Sequence, residues 1–285
     1  PSSGAAEELA RVERGDLRLA RERFLNSNNA TLVISGGITQ ARALRTLKQL
    51  FGPWRKTEQI APSTFSAAKP PDSRTLIVNV PEPKAEVRLA LRGVARSDKD
   101  FHAVILLTRI AQARWQTSNA DLAGKPTFVR SESHLLPGSV VMGANVTPQA
   151  TVATFASAKK VLEGLVATAP TALELASARQ AVISEITSQT PRSEAEADAW
   201  LDMYTYRLSE AQDNSALLQA VTPADLQRVA TRLFKDTPVA TVVVGDAQEL
   251  KKALQGQLPF EVLGEITKTP PAKPRTKPGS TANPN

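Results

Sequence analysis

The most constraining feature of this sequence is that part of it occurs twice. Laying the chain on itself with a shift of 209 residues sets DLRLARERFLNSNNATLVISGGI, from Asp16, on DLQRVATRLFKDTPVATVVVGDA, from Asp225. Identities fall at Asp16/Asp225, Leu17/Leu226, Arg23/Arg232, Val33/Val242 and Gly36/Gly245, and the apolar positions between them agree in kind. Each copy reads as an amphipathic helix with an acid in its first turn, a short polar loop, a Val/Ile-rich strand ending at glycine, and a second helix. The second copy's start is marked by Thr222-Pro223-Ala224-Asp225, which supplies an N-cap hydroxyl, a proline at the first helical position and an acid at N3.

If a folding unit ends in this module, each copy closes a domain. The expected organisation is then residues 1–61 as the C-terminal end of a first domain, 62–74 as a Pro/Ser/Thr/Lys linker, 75–266 as a complete second domain and 267–285 as a solvated tail. The earlier part of the first domain is expected upstream of Pro1, which stands where an intact chain would carry Met.

Within the second domain, TLIVNV (75–80) and the alternating AEVRLALRGV (85–94) read as neighbouring strands. KDFHAVILLTRIAQARW (99–115) carries apolar residues at helical spacing, and PTFVRSES (126–133) with GSVVMGANV (138–146) makes a strand pair across a Pro-Gly turn. Helices are expected at about 148–167, at 172–187 behind the capping box Thr171-x-x-Glu174, and at about 193–211. The repeat module at 223–254 completes the unit. This order predicts an α+β fold with helices packed on a mainly antiparallel sheet, and it is unlike a Rossmann unit.

Composition removes several chemistries. With no cysteine, disulfides, thiolate metal sites and cysteine nucleophiles are excluded, and the two histidines, His102 and His134, lack the helical i, i+4 spacing of a metal-binding pair. No metal or cofactor is expected in this chain. The net charge of +7 sits largely in residues 268–285, which hold four cations and no acid, so the body is nearly balanced. With aromatic content of 5% and no basic stripe bearing stacking rings, nucleic-acid binding is not expected. There is no apolar run of membrane-spanning length. Ser131, Glu132 and His134 contain the residue types of a hydrolytic triad, but adjacent strand residues face opposite ways. Gly36-Gly37 lacks the spacing of a phosphate-binding loop.

NATLVISGGI, LFGPW, the helix ending Ile110-Ala111-Gln112-Ala113-Arg114-Trp115, APTALELASARQAVISEI and VTPADLQRVATRLF with TVVVGDAQELKKAL together resemble the insulinase-type family of zinc metallopeptidases, which includes pitrilysin and the mitochondrial processing peptidases. The resemblance spans roughly residues 5–266. It implies tandem homologous domains of processing-peptidase type, with two such pairs enclosing a chamber. The family's H-x-x-E-H zinc motif is absent from this sequence. The resemblance therefore implies the end of a first peptidase-like domain followed by a complete non-catalytic one, with zinc supplied only by another domain or partner.

In the family, second domains donate an Arg and a Tyr toward a partner's active site, beside a glycine-rich turn. By this resemblance Arg114 stands for the arginine and Phe128 for the tyrosine, while Ala111-Gln112 replaces the glycine pair. Phenylalanine keeps the ring and loses the hydroxyl donor. Strand 85–93, which carries Glu86, is the expected edge against which an extended peptide is held, so Arg114, Phe128 and Glu86 are the candidate substrate contacts. The implied function is a non-catalytic half or subunit that encloses and positions peptide for a zinc-bearing homologous domain, as a homo- or heterodimer in the periplasm or secreted. The alternative is a scaffold or assembly protein that keeps the fold without proteolysis. Arg114 separates the two: a substrate contact should face a cavity, whereas a structural residue should pair with an acid or cap its helix.

Overall fold

The structure, a computed structural model, describes residues 6–57, 66, 69–118, 122, 125–189 and 192–263. The expected tail at 267–285, and residues 62–65, 67 and 68 of the expected linker, lie outside the described residues. Among the described residues the chain forms two compact units, one from 6–30 and 50–57, the other from 31–49 and the described residues beyond 63. No described helix is long and apolar enough to cross a membrane.

The smaller unit holds α1 (Ala6–Leu9), α2 (Arg14–Phe24), a 3-10 turn at Ser27–Asn29 and the last residues of α3 (Gln40–Phe51). The turn is fastened to the segment after α3. Asn28 exchanges side-chain hydrogen bonds with the Thr57 backbone at 3.0 and 3.1 Å, and the Trp54 indole N–H donates to the Leu25 carbonyl at 3.1 Å. Neither α2 nor α3 buries a residue. The first copy's expected strand does not form: Thr31–Ser35 carries no ladder. Apolar, β-branched sequence makes a strand only where a neighbouring strand takes up its backbone N–H and C=O groups.

In the larger unit, β1 (Thr75–Asn79), β2 (Ala85–Arg92), β3 (Thr127–Glu132), β4 (Ser139–Val146), β5 (Ala240–Gly245) and β6 (Glu261–Leu263) form one sheet in the order β3-β4-β2-β5-β1-β6. The first three pairings are antiparallel, and those of β5 with β1 and β1 with β6 are parallel. The architecture is the expected α+β layer on a mostly antiparallel sheet. Two details differ from expectation. β1 and β2 are not neighbours, because β5 lies between them; and β2 is paired on both sides, so it is not an edge. Alternation tells which residues share a face, whereas neighbours are chosen by chain segments far away in sequence.

One sheet face is covered by α4 (Phe101–Ser118), α5 (Thr151–Ala167), α9 (Pro223–Phe234) and α10 (Ala247–Leu254), with α6 (Ala172–Gln189) packed on α4. Val87, Leu89 and Leu91 of β2, Val140 and Met142 of β4 and Val243 of β5 point into this core and are buried. α7 (Arg192–Tyr206) stops five residues earlier than expected, at Arg207 with φ 56°, and α8 (Asn214–Ala220) follows behind an Asp213 N-cap.

The entry to α4 is locked to α9 by charge. Buried Asp100 receives Arg228 at 2.7 Å and Arg232 at 2.5 Å, and Arg232 also grips Asp98 at 2.7 Å. These guanidinium hydrogen bonds hold the carboxyls of Asp98 and Asp100 below the usual carboxylate range and raise both arginines.

Candidate functional site

Polar chemistry collects on the sheet face that no described helix of the larger unit covers. Along β2 the residues that do not enter the core are Glu86, Arg88, Ala90 and Arg92, all half-buried. Sheet register sets Phe128 of β3, Gly143 of β4, Arg88 of β2 and Val242 of β5 in one row across four strands. The Arg88 guanidinium lies over the Phe128 ring, 4.5 Å from its centroid, and Arg130 approaches the same ring at 4.9 Å. Such cation–ring contacts fix both partners in a flat plate.

Gly143 makes the plate possible. A Cβ there would stand 2.4 Å from Arg88 Nη1 and 2.5 Å from the Phe128 ring carbons, so any side chain would lift both off the sheet. Glu86 pairs with Arg88, and Glu132 pairs with Arg130 at 3.1 Å. Burial pulls the Arg88 pKa down, opposed by Glu86 and assisted by the neighbouring Arg130 cation. The plate can offer guanidinium donors and an aromatic face to an extended ligand. It contains no nucleophile.

Two of the three sequence-derived contacts, Glu86 and Phe128, thus come together through Arg88, but Arg114 does not join them. It sits in the helix layer, where its Nε and Nη2 donate to the two Glu174 oxygens at 2.6 and 3.0 Å. Glu174 is also the capping-box acid of α6, accepting from the Thr171 N–H at 2.8 Å. Arg114, followed by these Thr171 hydrogen bonds, lowers the Glu174 pKa to about 2. Arg114 is thus paired with an acid, the contact that the structural alternative expects of it. Arg88, Arg130 and Gly143 were missed by sequence reasoning. For Arg88 the signal is the polar half of the 85–92 alternation, which places it on the face opposite the core; Arg130 and Gly143 join it only through the sheet register.

Among the described residues no group of three His, Cys, Asp or Glu side chains could hold a metal ion. His102 is buried, with Nε2 2.9 Å from Asn214 Oδ1, and desolvation lowers its pKa. His134 is exposed. This donor set does not fit zinc. Arg96, buried beside His102, donates to Asp202, Gln212 and Asn214 and lies 4.1 Å from the Phe101 ring centroid, tying the α7–α8 region to α4.

None of the curated proteins matches the sequence significantly. The fold is shared with solved structures at low identity. The peptidase M16 inactive domain from Pseudomonas fluorescens is 16% identical with a TM-score of 0.76, covering 87% of this chain and 61% of that one. A protease from Helicobacter pylori is 19% identical with a TM-score of 0.73, covering 85% and 61%. The periplasmic protease PqqL from Escherichia coli is 15% identical with a TM-score of 0.56, covering 74% of this chain and 24% of that protease. This chain therefore spans about three fifths of the length of the first two. Residues 11–182 match the family described as the peptidase M16 inactive domain. Since that match takes in more than half of the sequence, and the sheet and helix layers follow the same fold, the chain belongs to the peptidase M16 inactive-domain family.

Proposed function

We propose that this chain is the non-catalytic half of an insulinase-type zinc endopeptidase and lines the path of an extended peptide that a zinc-bearing homologous domain or subunit cleaves. The observation that carries this reading is the plate of Phe128 and Arg88 over Gly143, flanked by Glu86, on the sheet face that no described helix of the larger unit covers. Among the described residues β3 pairs with no strand but β4, so its other side, where the Val129 N–H donates to Gln112 Oε1 at 3.4 Å, is the edge along which a peptide strand can add. Orientation and exclusion of solvent are what such a half supplies; zinc and the activated water belong to the partner. The likeness to two proteases, and the fact that this chain matches only a quarter of the larger one, support a part that works with others. The likeness to a periplasmic protease favours that compartment, which fractionation of the source cells tests.

The test of the peptide contact is titration of the full chain with a fluorescein-labelled unstructured peptide, read by anisotropy. Arg88→Ala and Phe128→Ala should each weaken binding about tenfold while leaving the fold intact. Parent-like affinity in both variants removes the reading. A second reading, an assembly protein without proteolysis, draws on the commitment of Arg114 to Glu174. It predicts stable association with a homologous subunit and no peptide affinity.

A further inference from the structure

A cavity of about 710 Å³ opens in the helix layer where the end of α6, the middle of α7 and the start of α8 meet. That is the size of a small-molecule site. Its room comes from small side chains. Ala195 and Ala199, one turn apart on α7, and Ala211 of the α7–α8 connection leave the Trp200 indole standing in the wall, with Trp200 44% exposed.

The polar wall is held from behind. Arg96, whose side chain is 6% exposed, donates to Gln212 Oε1 at 2.9 Å and to Asn214 Oδ1 at 3.2 Å, and His102 Nε2 lies 2.9 Å from the same Asn214 oxygen. Both carboxamide oxygens are thereby committed. Their N–H groups meet no acceptor among the described residues and belong to two residues that line the cavity. The Arg96 charge is matched by Asp202 at 3.1 Å, so it orients this wall without making it cationic.

Charge decides what such a cavity takes. Its lining holds Glu196 and Asp213 and no cation. Asp213 gives one oxygen to the Ala216 N–H at 3.0 Å, and Glu196 makes no ion pair among the described residues. From 194 to 215 the chain carries six carboxylates and one cation, Arg207, although its net charge is +7. The field there is locally negative. An exposed indole face beside carboxylates favours an organic cation, and free carboxamide N–H groups favour a neutral acceptor on the same ligand.

We propose that this cavity binds a small organic ammonium ion that carries an aromatic body and one neutral hydrogen-bond acceptor. The ring stacks on Trp200, the ammonium meets Glu196 and Asp213, and a hydroxyl or carbonyl oxygen accepts from Gln212 and Asn214. The inference is independent of the peptide contact on the sheet and of any partner subunit.

The test is a charge series at constant shape. Phenylethanolamine, phenylethanediol and mandelate share a phenyl ring and a hydroxyl, and differ in carrying an ammonium, a second hydroxyl or a carboxylate. Each is titrated into the full chain at neutral pH, read by NMR at the Trp200 indole N–H, which is identified by its loss in Trp200→Phe. Phenylethanolamine should shift that signal with a Kd of about 1 mM, the diol should bind at least about tenfold more weakly, and mandelate should not bind. Glu196→Gln, an isosteric change at an exposed position, should weaken the amine about fivefold and leave the diol unchanged, and about 0.5 M salt should act in the same direction. Three results overturn the proposal: no shift with phenylethanolamine at about 20 mM, equal affinity across the series, or an amine titration indifferent to Glu196→Gln.

Discussion

The segments 16–38 and 225–247 are nearly the same sequence in kind, and only the second is a finished piece of structure. Asp225–Ala247 gives a helix with its apolar side in the core, a strand in the interior of the sheet and the start of α10. Asp16–Ile38 gives the helix, with its apolar side exposed, and no strand. The difference teaches that helix and strand depend on context unequally. A helix satisfies its own backbone and needs only its caps, so both copies form one; a strand needs partners on its edges, so only the copy that has them is a strand.

The largest expected effect comes from placing a charge in the matched strand position. Val243→Asp should cost the larger unit about 4 kcal/mol or more, because it desolvates a carboxylate in a core with no cation to meet it. Ile34→Asp should cost less than about 0.5 kcal/mol. Urea unfolding of the two variants checks this, and equal losses would break the comparison.

Matched arginines give the next contrast. Arg232→Ala leaves Asp98 unpaired and buried Asp100 with Arg228 alone, for an expected loss of about 2 kcal/mol, whereas Arg23→Ala should be nearly neutral. The pH dependence has a definite sign. Asp98, Asp100 and Glu174 have folded pKa values below their unfolded ones, so their stabilisation is complete above the unfolded carboxylate range and is lost as pH falls. For Glu174 the window runs from the ordinary value of 4.5 down to about 2. Thermal melts of the parent should fall through this range, and Arg114→Ala should make the fall shallower while costing about 1 kcal/mol at neutral pH.

The helix caps give the smallest contrast. Thr222→Ala removes a hydroxyl that accepts from the Asp225 N–H and should cost about 1 kcal/mol. Removing the Glu13 side chain should change stability by a few tenths at most, since the exposed α2 contributes little to either unit's core. Differential scanning calorimetry resolves the two.

Local signals fixed most elements within a few residues. Thr171-x-x-Glu174 and Thr222-x-x-Asp225 became real capping boxes, and the Pro-Gly turn joined β3 to β4. What failed was pairing. β2 was expected at an edge and is flanked by β4 and β5, β6 was not foreseen, and α7 ends where Arg207 turns left-handed, a conformation that no residue type in the run RLSE announces. The candidate site was half legible. Phe128 follows from a resemblance and Glu86 from the strand expected at an edge, but the residue that joins them, Arg88, and the glycine that makes room for the plate, Gly143, are brought together by the β2–β4–β3 register.

The sequence by itself determined the repeat, the helix starts, the alternating faces and the absence of thiol chemistry, because each depends on residues within a turn or two of one another or on composition alone. Only the tertiary structure decided that β5 separates β1 from β2, that Arg114 spends its guanidinium on Glu174, and that one copy of the repeat is covered while the other is not. Those outcomes depend on which distant backbone and which opposite charge arrive within hydrogen-bonding reach, and a run of similar residues carries no record of that.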